Sequence, residues 1–184
     1  MIVIGELING MYKAVTKAIQ DRDAVLIHHL AQDQVKAGAC ILDVNAGPFS
    51  KDPMSDMKWL VETIQQVAEV GLSLDSTRPD VIEECLKLAK KRAIINSTTA
   101  DPEKMERIFG LARKYNAQVI GMAIDKSGIP DSSQKRVELA ASIVAKAMDY
   151  GISIDDIYLD PIAMPINVAQ DQCMEVLETI REFS

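Results

Sequence analysis

Cysteine is scarce in this chain: Cys40, Cys85 and Cys173 are the only three in 184 residues. Odd in number, far apart and in no Cys-x-x-Cys spacing, they indicate neither a disulfide framework nor a zinc knuckle, and a reducing cytoplasm is the expected compartment. Long apolar runs are missing too. Nothing approaches the roughly 18 residues of a membrane span, and Met1 to Gly10 has no basic leader region and reaches an acid at Glu6, so neither export nor insertion is expected. Basic charge is in deficit, with 20 Lys plus Arg against 27 Asp plus Glu and a formal net charge of −7. Phosphate backbones are held by clustered Lys and Arg, and no block of like charge occurs, so nucleic acid is not an expected partner. The first apolar run continues as Gly5-Glu6-Leu7-Ile8-Asn9-Gly10, which lacks the Gly-x-Gly-x-x-Gly of a dinucleotide fold.

What is present is ample apolar material, 48% of residues against 26% charged. A chain of this size buries roughly 70% of the surface exposed when unfolded, and a globular domain is expected. Short, often β-branched runs predict strands at about Ile2 to Gly5, Ile41 to Val44, Leu72 to Leu74, Ala93 to Ile95, Gln118 to Ala123 and Ile157 to Leu159. They look too apolar to alternate, as parallel strands covered on both faces do.

Helical stretches separate them. Asp23 can cap a helix reaching about Ala37, with Gly38 as its left-handed stop. Asp52-Pro53, Arg78-Pro79 and Asp101-Pro102 each put proline where a first turn tolerates its missing N–H. Ala140, Ile143, Val144, Ala147 and Met148 form a stripe expected to face a core. A last helix is expected from Asp171 to Glu182, with Met174, Val176, Leu177 and Ile180 as its apolar positions. Six βα units in a row fit either an open doubly wound sheet or a barrel of eight such units.

In parallel α/β folds the chemistry sits at the C-terminal strand ends. Those ends carry Glu6 and Asn9, Asp43 and Asn45, Asp75, Asn96, Asp125 and Lys126, and Asp160 followed by Asn167. Singly, each can be a turn or cap residue; as a set they are harder to read as caps. A carboxylate accepts two parallel N–H bonds from an aminopyrimidinone such as a pterin, and Asn both donates and accepts. A hard cation such as Mg²⁺ or Ca²⁺ is the less favoured ligand, because the amides dilute the charge. His28 and His29 fall mid-helix and read as packing or surface residues, and the cysteines as small buried hydrophobes.

Five segments in order, Ile4-Gly5-Glu6-Leu7-Ile8-Asn9-Gly10, Leu42-Asp43-Val44-Asn45-Ala46-Gly47-Pro48, Leu74-Asp75-Ser76-Thr77, Ile95-Asn96-Ser97-Thr98 and Leu159-Asp160-Pro161, resemble the pterin-binding barrel family. Within it they are most similar to the methyltetrahydrofolate:corrinoid methyltransferases. The resemblance implies a TIM (β/α)8-type barrel of which about six βα units are present, as one pterin-binding domain over residues 1–184. It implies Asp75, Asn96 and Asp160 as pterin ligands, with Glu6, Asn9, Asp43 and Asn45 in support. The implied substrates are methyltetrahydrofolate or tetrahydrofolate and a corrinoid carried on a separate protein, since no Asp-x-His-x-x-Gly of a corrinoid site occurs in this sequence. No protein-bound metal is expected, and a homodimer is.

Two departures accompany the resemblance. Leu7 stands where the family commonly has Arg. The family's seventh-strand Asn, near the pterin N5, has no counterpart, so no catalytic residue is assigned; a longer parent chain, or completion by another chain, is expected. Dihydropteroate synthase is the alternative enzyme, disfavoured by the first loop, and a non-catalytic pterin-binding subunit is the alternative outside enzymes.

Overall fold

Each of the six apolar runs forms a strand, and helices fill the stretches between them. The computed structural model describes residues 1–183. The chain opens with β1 (Ile4–Gly5), α1 (Lys13–Asp21), α2 (Ala24–Lys36), β2 (Ile41–Val44), α3 (Pro53–Ile64), β3 (Gly71–Asp75), α4 (Pro79–Leu88) and β4 (Ile94–Thr99). It continues with α5 (Pro102–Tyr115), β5 (Gln118–Met122), α6 (Ser133–Asp149), β6 (Ile157–Asp160) and α7 (Cys173–Phe183). Two compact units, Met1–Asn96 and Ser97–Ser184, divide within β4.

Helix starts follow the predicted chemistry. Asp23 accepts from Val25 N at 3.0 Å, Asp52 from Ser55 N at 3.1 Å, and Asp101 from Glu103 N at 2.9 Å and Lys104 N at 3.2 Å. Each occupies an N–H that the first turn leaves unpaired. Arg78 precedes α4 without a side-chain cap. Helix α1 is an addition to the sequence reading; Val15, Ala18 and Ile19 form its buried edge at helical spacing.

In the first unit β1 pairs with β2, β2 with β3 and β3 with β4, all parallel. In the second, β5 pairs with β6, also parallel. Leu42, Val44, Leu72, Leu74 and Ile95 lie on one face of the first unit's strands at no more than 2% exposure, and each such burial is worth roughly 1.5–3 kcal/mol. The other face differs from expectation: the strands do alternate. Asp43, Ser73, Asp75 and Asn96 recur at the two-residue period that places them together on that second face.

Some other expectations fail. Ile2 and Val3 are exposed and stand outside β1. Along α6 the buried stripe is Leu139, Ala140, Ile143 and Ala147, while Met148 is 61% exposed, because it points away from β5 and β6. On α7 only Val176 and Thr179 are buried; Met174, Leu177 and Ile180 are exposed. Cys85 is buried, but Cys40 is exposed and Cys173 half-buried. In α2, His28 is half-buried and His29 exposed. No helix among the described residues is long and apolar enough to cross a membrane.

Candidate functional site

Register builds the first unit's polar cluster. Asp43 lies opposite Ser73, and Asp75 opposite Asn96. Asp43 Oδ1 accepts from Ser73 Oγ at 2.6 Å and from Asn96 Nδ2 at 3.0 Å, so one buried carboxylate on β2 binds the adjacent β3 and, beyond it, β4. Asn45 Nδ2 donates to Asp75 Oδ2 at 2.5 Å, while Asn45 Oδ1 accepts from Gly47 N at 2.6 Å. With both ends of its amide engaged, Asn45 has one orientation, and it fixes that of Asp75. The amide of Asn96 is likewise oriented, its nitrogen turned to Asp43.

Burial pushes the Asp43 carboxyl above the usual carboxylate range, because the charged form has lost its water. The Ser73 and Asn96 donors pull it back down, and the nearby Asp75 charge adds a smaller upward push. Sequence reasoning found Asp43 but not Ser73, whose signal was a small polar residue inside the apolar run Gly71-Leu72-Ser73-Leu74.

The loops after β1 and β2 are joined by main chain. Asn9 bridges Asn45 in parallel fashion, Gly10 N donates to Asn45 O at 2.8 Å and Asn45 N to Ile8 O at 3.2 Å. A Cβ on Gly10 would overlap the Ala46 carbonyl, and one on Gly47, itself at φ 79°, would overlap the Gly10 backbone. Only two glycines allow this approach. The Asn9 side chain accepts from Met11 N at 2.9 Å and so shapes the turn. Glu6 is exposed, outside the hydrogen-bonded cluster. A cleft of about 440 Å³ opens beside Asn45 and Asp75, with Met11, Pro48, Met57 and Arg78 on its walls, within the usual size range of small-ligand sites.

In the second unit Asp160 ends β6 in register with Met122, and its Oδ1 accepts from Ile162 N at 2.7 Å. Asp125 and Lys126 are taken up locally: Asp125 Oδ1 accepts from Ser127 N at 2.7 Å, and Lys126 pairs with Asp101 at 3.0 Å. That ion pair holds the Asp101 carboxyl below and the Lys126 ammonium above their ordinary ranges. Asn167 is exposed. No group of three or more His, Cys, Asp or Glu able to hold a metal occurs among the described residues.

Such an array, carboxylates fixed by carboxamides at strand ends, is suited to an uncharged heterocycle rich in N–H donors. Comparison with known proteins agrees. The family profile described as pterin binding enzyme matches residues 12–184. The methylcorrinoid:tetrahydrofolate methyltransferase of Eubacterium limosum is 30% identical over 188 residues, which cover all of this chain and 69% of that protein. Methionine synthase of Mycobacterium tuberculosis is 28% identical over 194 residues, again across the whole chain but over only 16% of its own length. Among solved structures, dihydropteroate synthase from Xanthomonas albilineans in complex with 7,8-dihydropteroate superposes with a TM-score of 0.71 at 14% identity, covering 99% of this chain and 66% of that one. The chain thus spans about two thirds of the synthase. At that identity the likeness shows the fold, a TIM-type α/β barrel represented here by six βα units.

Proposed function

Because the chain belongs to the pterin-binding enzyme family, we propose that it transfers the N5-methyl group of methyltetrahydrofolate to, or from, a corrinoid carried on a separate protein. The observation that carries this reading is the cluster in which Asn45 orients Asp75 and Asp43 orients Asn96. The name of the Eubacterium limosum relative, with its coverage of the whole chain, supports the choice of reaction. In this reading Asp75, Asn96 and Asp160 bind the pterin ring, Asn45 and Asp43 hold two of those three groups in place, and Glu6 and Asn9 belong to the surrounding loops. The corrinoid supplies the cobalt centre that gives or takes the methyl group.

The work left to this chain is binding and electrostatics. N5 is a poor leaving group, and only interactions stronger in the transition state than in the ground state speed its departure. A pterin held by preset carboxylates keeps the N5–methyl axis in one direction, which supplies the alignment an in-line displacement needs. No covalent nucleophile is required, in keeping with the sites of Cys85, on the buried face of α4, and His28 and His29 on α2. The family resemblance also supports a cytoplasmic location and a homodimer, the latter checked by light scattering of the purified protein.

Calorimetric titration with methyltetrahydrofolate tests the ligand. Asp75→Ala, Asn96→Ala and Asp160→Ala should each weaken binding about tenfold or more, the loss of a charge-assisted or buried hydrogen bond; unchanged affinity in all three would remove the site assignment. Transfer to an added methyl-accepting corrinoid protein then separates an enzyme from a pterin-binding subunit.

A further inference from the structure

The turn after β6 is the strained point of the second unit. Ile162 has φ 62°, a left-handed backbone that β-branched residues rarely enter. Arg22 and Asn116, the other two non-glycine residues there among the described residues, sit at the ends of α1 and α5, where that conformation is ordinary. Ile162 ends no helix. What its conformation achieves is a hydrogen bond: Ile162 N donates to Asp160 Oδ1 at 2.7 Å, across a proline that has no N–H to offer.

A second observation lies behind that turn. Arg136, in the first turn of α6, is 1% exposed. Its Nε donates to the Pro130 carbonyl at 3.1 Å and its Nη2 to Gln172 Oε1 at 3.2 Å, while its buried Nη1 has no hydrogen-bond partner among the described residues. Pro130 belongs to the segment between β5 and α6, and Gln172 to the end of the segment between β6 and α7. One guanidinium therefore clasps the two loops on either side of β6. Glu175 reinforces it by accepting from Ser133 N at 2.6 Å, the contact that chiefly holds its carboxyl below the ordinary range. A buried cation is a costly way to join two loops, and a strained residue persists only where its surroundings over-determine it.

We propose that Ile162 and Arg136 are positioning residues for Asp160. The Ile162 N–H engages Asp160 Oδ1 and restricts the rotation of the carboxylate before any ligand arrives; the Arg136 clasp holds the loop whose relaxation would release that turn. The inference rests on the reading of Asp160 as a pterin ligand, and adds that the binding geometry is built into the backbone. A carboxylate preset in this way loses less freedom on accepting two parallel N–H bonds.

Two measurements on the whole protein test it. In ¹⁵N-labelled protein the Ile162 amide should exchange with solvent more slowly than an unbonded amide, and that protection should be lost in Asp160→Ala. Ile162→Pro, which removes the donor and forbids the positive φ, should weaken tetrahydrofolate binding about tenfold, whereas Ile162→Asn, at ease in the left-handed region, should bind within about threefold of wild type. Gln172→Ala, milder than any change at Arg136, should lie between them. A packing role for the isoleucine side chain would instead make Asn as harmful as Pro, and that result, or wild-type affinity in Ile162→Pro, overturns the proposal. If wild-type protein binds no tetrahydrofolate, the pterin reading fails separately. Amide exchange then still decides: protection of Ile162 that depends on Asp160 supports the preset carboxylate, and its absence overturns it.

Discussion

Replacing Asp43 by alanine and by asparagine should separate what this residue does by shape from what it does by charge. Alanine removes the oxygen that accepts from Ser73 Oγ and Asn96 Nδ2. Ser73 is fully buried, so its hydroxyl loses its partner with no water to replace it, whereas half-buried Asn96 can turn partly to solvent. An unsatisfied buried donor costs about 1–3 kcal/mol, which gives roughly 2–4 kcal/mol for the two together. With a urea slope of about 2 kcal/mol per molar, the unfolding midpoint should fall by about 1–2 M.

Asparagine keeps an acceptor in the same place and removes only the ability to ionise. The sign follows from the raised Asp43 pKa. Between the unfolded-chain value near 3.9 and the higher folded one, the native state holds a proton that the unfolded state has released, so that stability falls as pH rises. The favourable contribution is complete below the unfolded value and lost once pH passes the folded one. Stability of wild type minus that of Asp43→Asn, from urea melts at a series of pH values, should therefore decline with rising pH above about 4. A difference that grows with pH, or an asparagine variant as unstable as the alanine one, would refute the reasoning.

Gly10→Ala forces a methyl group into the Ala46 carbonyl; overpacking against rigid backbone should lower stability by about 1–3 kcal/mol and weaken folate binding, read by thermal melts and calorimetry. Cysteine labelling gives a check on burial: the Cys85 thiol, pushed up to about 12 by burial, should resist alkylation at pH 8 in folded protein while exposed Cys40 reacts, as peptide mass mapping would show. Equal labelling of the two would mean that α4 does not pack as described.

The sequence carried the strand–helix rhythm plainly, because apolar runs bounded by Asp-Pro and Gly are local signals. Asp75 and Asp160 were legible as strand ends for a related reason, each closing an apolar run, whereas Asn96, expected after the fourth strand, lies inside it because β4 continues through polar residues to Thr99. Alternation in β2–β4 was harder to see: Ser73 and Asn96 are small and few, and the facing apolar residues outnumber them. The faces of α6 and α7 were misjudged at Met148, Met174, Leu177 and Ile180, since helical spacing marks an apolar stripe but not how much of it is covered. Nothing local marks Arg136 as buried or Ile162 as left-handed. Both conditions are imposed by residues distant in sequence, Gln172 and Glu175 in the first case and the hydrogen bond back to Asp160 in the second.

The meeting of Gly10 and Gly47 has a mechanical side. Loops that touch through side chains can slide past each other by changing rotamers; two that touch through main chain and are stitched by Gly10 N to Asn45 O have no such soft coordinate. They form a single lever. Met11 and Phe49, each 70% exposed, are its two handles, and Asn45 is its fulcrum, attached to Asp75 by a 2.5 Å hydrogen bond. A load placed on either handle is delivered to the same carboxylate.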